Sequence, residues 1–168
     1  MPRLSLRELG SSNLAAFLDM LAYSEGTSTV AGSDDGYNVL VGGTLFDSYA
    51  AHPRKLVQLP AYKISSTAAG RYQFLARTWD DLAARLRLRD FSPEAQDRAA
   101  VELIRGRRAL DDIRAGRIAS AIDRCRNIWA SLPGAGYGQR EHKLERLLDA
   151  YVQAGGALAD TTTPKERK

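Results

Sequence analysis

Apolar side chains recur at three- and four-residue spacing over most of this chain, and one glycine-rich interval breaks the pattern. Leu14, Phe17, Leu18, Leu21 and Ala22 form the first stripe, behind Ser and Asn capping candidates from Ser12 onward. This predicts an amphipathic helix ending near Ser24 to Gly26. The helical pattern resumes after Gly70 and runs through Tyr72 to Leu88. Another helix opens at Ser92-Pro93-Glu94, where serine caps and proline takes the first helical position. Ile118, Ala121, Ile122, Cys125 and Trp129 make the next stripe, stopped by Pro133-Gly134. Leu144, Leu147, Leu148 and Tyr151 make the last, stopped by Gly155-Gly156. Trp79 and Trp129 fall on helical stripes and are expected in the core.

The interval between the first helix and Gly70 reads differently. Gly36 to Phe46 (GYNVLVGGTLF) is β-rich around a Gly-Gly turn, which predicts a short hairpin. Residues 47 to 70, with Pro53 and Pro60, are expected to be irregular. Mainly helical patterning with one small hairpin is an α+β arrangement. With 168 residues, 44% of them hydrophobic, the chain can close one core. Residues 1–156 are therefore expected to form a single domain, and 157–168 a flexible C-terminal tail.

Composition narrows the function classes. No run of eighteen apolar residues is present, so stable membrane insertion is not expected, and Asp19 interrupts the best early apolar run, so no secretion signal is read. The net charge of +4 suits a polyanionic surface without naming one. The arginine runs at 85–89 and 105–108 lack interleaved aromatics, which argues against nucleic acid as partner. His52, His142 and Cys125 show neither HExxH nor CxxC spacing, so no metal and no cofactor are expected. Cys125 lies on an apolar stripe, the setting of a structural thiol rather than a nucleophile.

One acid stands out. Glu25 lies four residues beyond Leu21, seven beyond Leu18 and eleven beyond Leu14, so if the helix persists its carboxylate projects from the apolar face. A helix C-terminus disfavours negative charge, and burial disfavours it further; both raise the pKa, as a general acid near neutral pH requires. If the helix ends one residue earlier, Glu25 is a solvated loop acid. Spacing leaves both readings open.

Longer segments carry a resemblance. Ala16 to Thr27 (AFLDMLAYSEGT), the GYNVLVGGTLF run, HPRKLV at 52–57, Ala69 to Gln73 (AGRYQ), DFSP at 90–93 and AIDRCRNIWASLPGAGYGQ at 121–139 together resemble the lambda-type phage endolysins. These are lytic transglycosylases with a lysozyme-like fold, and the resemblance spans roughly residues 16 to 156. It implies cleavage of the β-1,4 bond between N-acetylmuramic acid and N-acetylglucosamine in peptidoglycan, with 1,6-anhydromuramoyl ends as product. It also implies Glu25 as catalytic residue, first acid and then base. A monomeric enzyme is implied, made in the host cytoplasm and released to the wall through a separate membrane-permeabilising protein.

By resemblance to the Gly-x-x-Gln segment of lytic transglycosylases, Gly70-Arg71-Tyr72-Gln73 opens a helix and lines the cleft, with Gln73 bonding an acetamido group and Tyr72 facing a sugar ring. Tyr137, in a glycine-flanked loop, and Tyr37 and Asn38, on the hairpin, are further candidates for substrate binding. The alternative is a hydrolytic muramidase, in which Asp34 or Asp35 supplies a second carboxylate. Asp-Asp-Gly before a strand is also ordinary turn chemistry.

Overall fold

In the computed structural model, which describes residues 1–138 and 140–159, helix α2 (Ser12–Ser24) runs through the centre of the core. Its predicted stripe is fully buried, with Leu14, Phe17, Leu18 and Leu21 at most 1% exposed. Burial of each contributes about 2 kcal/mol. Ala15, Ala16, Met20 and Ala22 on the other faces are buried as well, so α2 is enclosed rather than laid on a surface. The Ser11 hydroxyl accepts from the Leu14 amide to cap its start. Gly26, at φ 73°, ends it in the left-handed conformation that glycine adopts without penalty.

Around α2 pack α1 (Leu6–Leu9), α5 (Leu110–Arg114) and α7 (Leu144–Gln153), while α6 (Ile118–Cys125) packs on α5 and α7. The pair α3 (Ala76–Leu86) and α4 (Pro93–Gly106) closes the other end. Ser92 caps α4 through Ala95 N, with Pro93 at its first position as expected. Trp79 and Trp129 are buried, but α6 ends at Cys125, so Trp129 sits in the following turn and not on the helix. There its indole donates to Tyr72 O at 3.0 Å.

The β structure departs from expectation. The segment predicted as a hairpin contains only isolated bridges, Val39 with Leu45 and Leu40 with Ala69, around the Gly42-Gly43 turn. The regular sheet lies in the stretch expected to be irregular. There β1 (Val57–Leu59) pairs antiparallel with β2 (Ile64–Ser66), registering Val57 with Ser66 and Leu59 with Ile64. Each strand is three residues long and largely exposed, so no buried alternation marked it, and Pro60 and Lys63 form the connecting turn. The architecture is nonetheless mainly helical with one small sheet, the α+β class expected.

Residues Gly70 to Gln73 do not open a helix. Ala69 and Phe74 exchange backbone hydrogen bonds across a tight turn, with Gly70 and Gln73 both at positive φ, and α3 begins only at Ala76. A Cβ on Gly70 would lie 2.3 Å from Gln96 Oε1, so the turn packs too closely for any other residue. The first residues of the expected tail are held: Ala157 N donates to Asn13 Oδ1 and Ala159 N to Gly116 O. The rest of that tail, 160–168, lies outside the described residues.

Candidate active site

Glu25 occupies the C-cap of α2, its amide donating to Leu21 O at 2.9 Å, so the helix persists just far enough to hold the carboxylate on the buried face. It lies in a cavity of about 460 Å³, within the size range of ligand pockets. Val41, Leu59 and Ala68 line the cavity from the β region, and Asn127, Ile128 and Tyr137 from the segment after α6. Burial pushes the Glu25 carboxyl up to about 7, against a hydrogen bond from Ser131 that works to lower it. That bond runs from Ser131 Oγ to Glu25 Oε1 at 2.5 Å. Ser131 was not legible as a partner, because it stands 106 positions downstream in a segment that reads only as a helix stop.

The loop after Glu25 is tied to the Gly70 turn. The buried Thr27 hydroxyl donates to Ala22 O and, at 2.6 Å, to Arg71 O. This fixes Glu25 relative to Gln73, which also lines the cavity. Gln73 Nε2 donates to Val39 O and Gly70 O, and among the described residues Oε1 meets no donor, which suits it to accept from an amide N–H. Tyr137 is 55% exposed at the rim, its hydroxyl donating to Asn127 O. Its loop is held by Glu141, whose two carboxylate oxygens accept from Gly134 N and Gly136 N.

Two expected binding residues lie off the cavity lining, and a third lines it but is buried. Tyr37 is fully buried and absent from the cavity lining, because its hydroxyl donates at 2.7 Å to the buried Asp97. Asn38 also lies off the lining, its Oδ1 accepting from Asp34 N. Tyr72 contributes to the cavity floor but is 1% exposed, edge-on to Tyr37 and Phe74, with its hydroxyl on Asp97 at 2.6 Å. It supports the floor rather than offering an open face to a sugar. Asp97 thus accepts from both tyrosines and from the amides of Arg3 and Leu4, joining the N-terminal segment, the hairpin region and α4 beneath the site.

Asp34 and Asp35 are not among the residues lining the cavity and are engaged in ion pairs. Asp34 pairs with Arg3 and accepts from the Tyr49 hydroxyl. Asp35 pairs at 2.7 Å with the buried Arg71, which also binds Asp19 at 2.5 Å and lies over the Tyr37 ring. Among the described residues, Glu25 is the sole carboxylate lining the cavity. His52 and Cys125 are buried apart from it, with His52 Nε2 on Phe74 O in an aromatic cluster with Phe91. Among the described residues no group of three or more His, Cys, Asp or Glu is arranged to hold a metal ion.

The chain is similar to known proteins over most of its length. The Endolysin family profile matches residues 15–158. The chain is 54% identical over 147 residues to the endolysin of Escherichia phage lambda, covering 86% of this chain and 92% of that protein. It is also 54% identical over 157 residues to the endolysin of Escherichia phage P2, covering 88% and 95%. Among solved structures, bacteriophage lambda lysozyme complexed with a chitohexasaccharide superposes with a TM-score of 0.85 at 53% identity, over 88% of this chain and 97% of that one. A second structure of lysozyme from bacteriophage lambda gives a TM-score of 0.82 at 52% identity, with the same coverage. With a lysozyme-like fold and a family profile spanning nearly all of its described length, the chain belongs to the endolysin family.

Proposed function

We propose that this endolysin cleaves peptidoglycan as a lytic transglycosylase, with Glu25 acting alone as acid and then base. The observation that carries the reading is that no other carboxylate lines the cavity among the described residues. Hydrolysing glycosidases of the common type use two carboxyl groups flanking the scissile bond, one of them to act as nucleophile or to activate water. Asp34 and Asp35, the available partners, are turned to Arg3 and Arg71. A transglycosylase needs no second carboxylate, because the nucleophile is the C6 hydroxyl of the same muramic ring and is already held near C1.

In this reading Glu25, protonated near neutral pH, gives its proton to the oxygen bridging N-acetylmuramic acid and N-acetylglucosamine. The C1–O bond breaks, the C6 oxygen bonds to C1, and the hydroxyl proton passes to the Glu25 carboxylate. The acid is regenerated and no water is consumed. Gln73 and Tyr137 hold the strand, Gln73 through an acetamido N–H and Tyr137 through the flank of a sugar ring. The chitohexasaccharide held by the lambda lysozyme structure supports a glycan strand as substrate. The enzyme acts as a monomer, is made in the host cytoplasm, and reaches the wall once a separate membrane-permeabilising protein opens the inner membrane. Among the described residues no helix is long and apolar enough to cross a membrane itself.

Mass spectrometry of muropeptides released from purified peptidoglycan tests the reaction class. Anhydro ends are expected. Reducing ends would establish hydrolysis and overturn the single-carboxylate reading. Glu25→Gln is expected to abolish release of either product.

A further inference from the structure

The Glu25 carboxyl has one side-chain hydrogen-bond partner among the described residues, the Ser131 hydroxyl at 2.5 Å. Ser131 Oγ in turn lies 2.6 Å from Ser24 Oγ, a side chain on the last residue of α2 that is 4% exposed. Carboxyl and two hydroxyls thus form a short chain, anchored because the His142 amide donates to Ser131 O at 2.9 Å. A hydroxyl carries one proton, so the directions along this chain are coupled. When Glu25 is a carboxylate, Ser131 donates to it and must accept from Ser24. When Glu25 is protonated, it can donate to Ser131, which then donates to Ser24.

We propose that Ser131 is the positioning residue of Glu25, a hydroxyl that reverses its hydrogen bond as Glu25 passes from acid to carboxylate, with Ser24 as the second member of the chain. This rests on the reading of Glu25 as both acid and base. A residue with that double task is held in place in both protonation states only by a partner able to accept and to donate. A lysine or arginine there would only donate and would pull the carboxyl toward permanent ionisation; an alanine would leave both states without a partner. Ser131 does not line the cavity, so it acts through Glu25 and not on the substrate. Other titratable or charged groups around the chain are Tyr23 and His142, whose rings lie 5.4 Å apart, Tyr72 and Tyr137 on the cavity lining, and Arg140 and Arg146 near His142. Burial holds His142 below the ordinary histidine range.

The test measures kcat and KM on purified peptidoglycan across pH for Ser131→Ala, Ser131→Thr, Ser24→Ala and the double alanine variant. The Glu25 carboxyl is titrated in each by ¹³C NMR. Ser131→Ala is expected to lower kcat by about tenfold or more with KM little changed, since a hydrogen bond to a charged group is lost. Its carboxyl midpoint moves to higher pH, because the serine hydrogen bond lowers the Glu25 pKa. Ser131→Thr restores both. Ser24→Ala moves the midpoint the same way by less, and adding it to Ser131→Ala changes nothing further, as members of one chain are not independent. An unmoved midpoint in Ser131→Ala and Ser24→Ala, a loss confined to KM, or multiplying losses in the double variant would overturn the proposal. The product ends made by the unaltered enzyme report separately on the reaction class, so failure of one reading does not imitate failure of the other.

Discussion

Asp35 Oδ1 lies 2.7 Å from Nη1 of Arg71, a side chain only 1% exposed. A buried guanidinium requires counter-charge, and Asp35 supplies it together with Asp19 on α2. The acid that sequence position offered as a second catalytic group is engaged as a counter-ion of Arg71 in this structure. Its backbone, at φ 49°, is held in a left-handed turn that directs the side chain inward to Arg71. Asp35→Ala is expected to cost about 2–3 kcal/mol of stability by stranding part of that buried charge, read as a fall in the denaturation midpoint. Asp34→Asn should keep near-full lytic activity and the same anhydro product. A loss of a hundredfold or more in Asp34→Asn, with the fold intact, would restore the two-carboxylate reading.

The proposed mechanism fixes a pH dependence, with Glu25 the one carboxyl lining the cavity among the described residues. In the proposed mechanism only protonated Glu25 begins the reaction, so kcat/KM should stay level on the acid side and fall through a single ionisation at about 7. A pair of catalytic carboxyls would instead give a bell, with an acid limb from the group that must be ionised. Initial rates of turbidity loss over the pH range in which the protein remains folded distinguish the two shapes.

The same shift has a stability consequence of fixed sign. Burial raises Glu25 from 4.5 to about 7, so between those values the folded chain binds more protons than the unfolded one. Its contribution is intact below 4.5 and is lost as pH rises through about 7. Glutamine at this position carries no charge to desolvate and still offers Ser131 an acceptor. Glu25→Gln is thus expected to match the unaltered protein near pH 4.5 and to exceed it by up to about 3 kcal/mol above pH 7, a gain of several degrees in Tm. Calorimetry at the two pH values checks it; an inactive variant that is less stable at high pH would contradict the buried-acid assignment.

How far the sequence disclosed this molecule depends on the range of each signal. The α2 stripe, the Ser92-Pro93 start of α4 and the α7 stripe are local patterns that burial reproduces, and they were readable. The β1–β2 sheet was not, because three-residue exposed strands have no buried face to imprint alternation. Glu25 could be singled out by its register, yet its hydrogen-bond partner Ser131 could not, since only the tertiary fold brings the two together. Tyr37 and Tyr72 illustrate the reverse difficulty. Their amphipathic side chains suit a sugar site equally well, and it is the buried Asp97, on a helix read only as scaffold, that draws both hydroxyls inward.

Asp97 therefore predicts a cost disproportionate to one side chain. Its carboxylate is completely buried and accepts from two tyrosine hydroxyls and two backbone amides. Asp97→Ala takes the acceptor from two tyrosine hydroxyls and the Leu4 amide, while the Arg3 amide keeps only its longer bond to the Tyr37 hydroxyl at 3.2 Å, and the change is expected to destabilise the fold by about 3–5 kcal/mol. Tyr37→Phe, which removes one donor and leaves the carboxylate its others, should cost about 1 kcal/mol. Equilibrium denaturation of both variants checks the ratio; similar small effects would mean that the network contributes little.

Tyr137 separates binding from chemistry. It stands at the cavity rim, 55% exposed, on a loop that Glu141 pins through Gly134 N and Gly136 N, with no hydrogen bond to Glu25 or Ser131. A ring placed there can contribute contact area to a bound sugar in ground and transition states alike, and uniform binding of that kind appears in KM. Tyr137→Ala should raise KM about tenfold while kcat changes less than about threefold. Tyr137→Phe should retain most of the affinity, because the hydroxyl is engaged with Asn127 O and the ring supplies the contact. Glu141→Gln, which weakens the two amide bonds that hold the loop, should raise KM in the same direction by a smaller factor. Kinetics on glycan strands of defined length decide the matter: a kcat loss in Tyr137→Ala at constant KM would move this residue from strand binding to transition-state stabilisation.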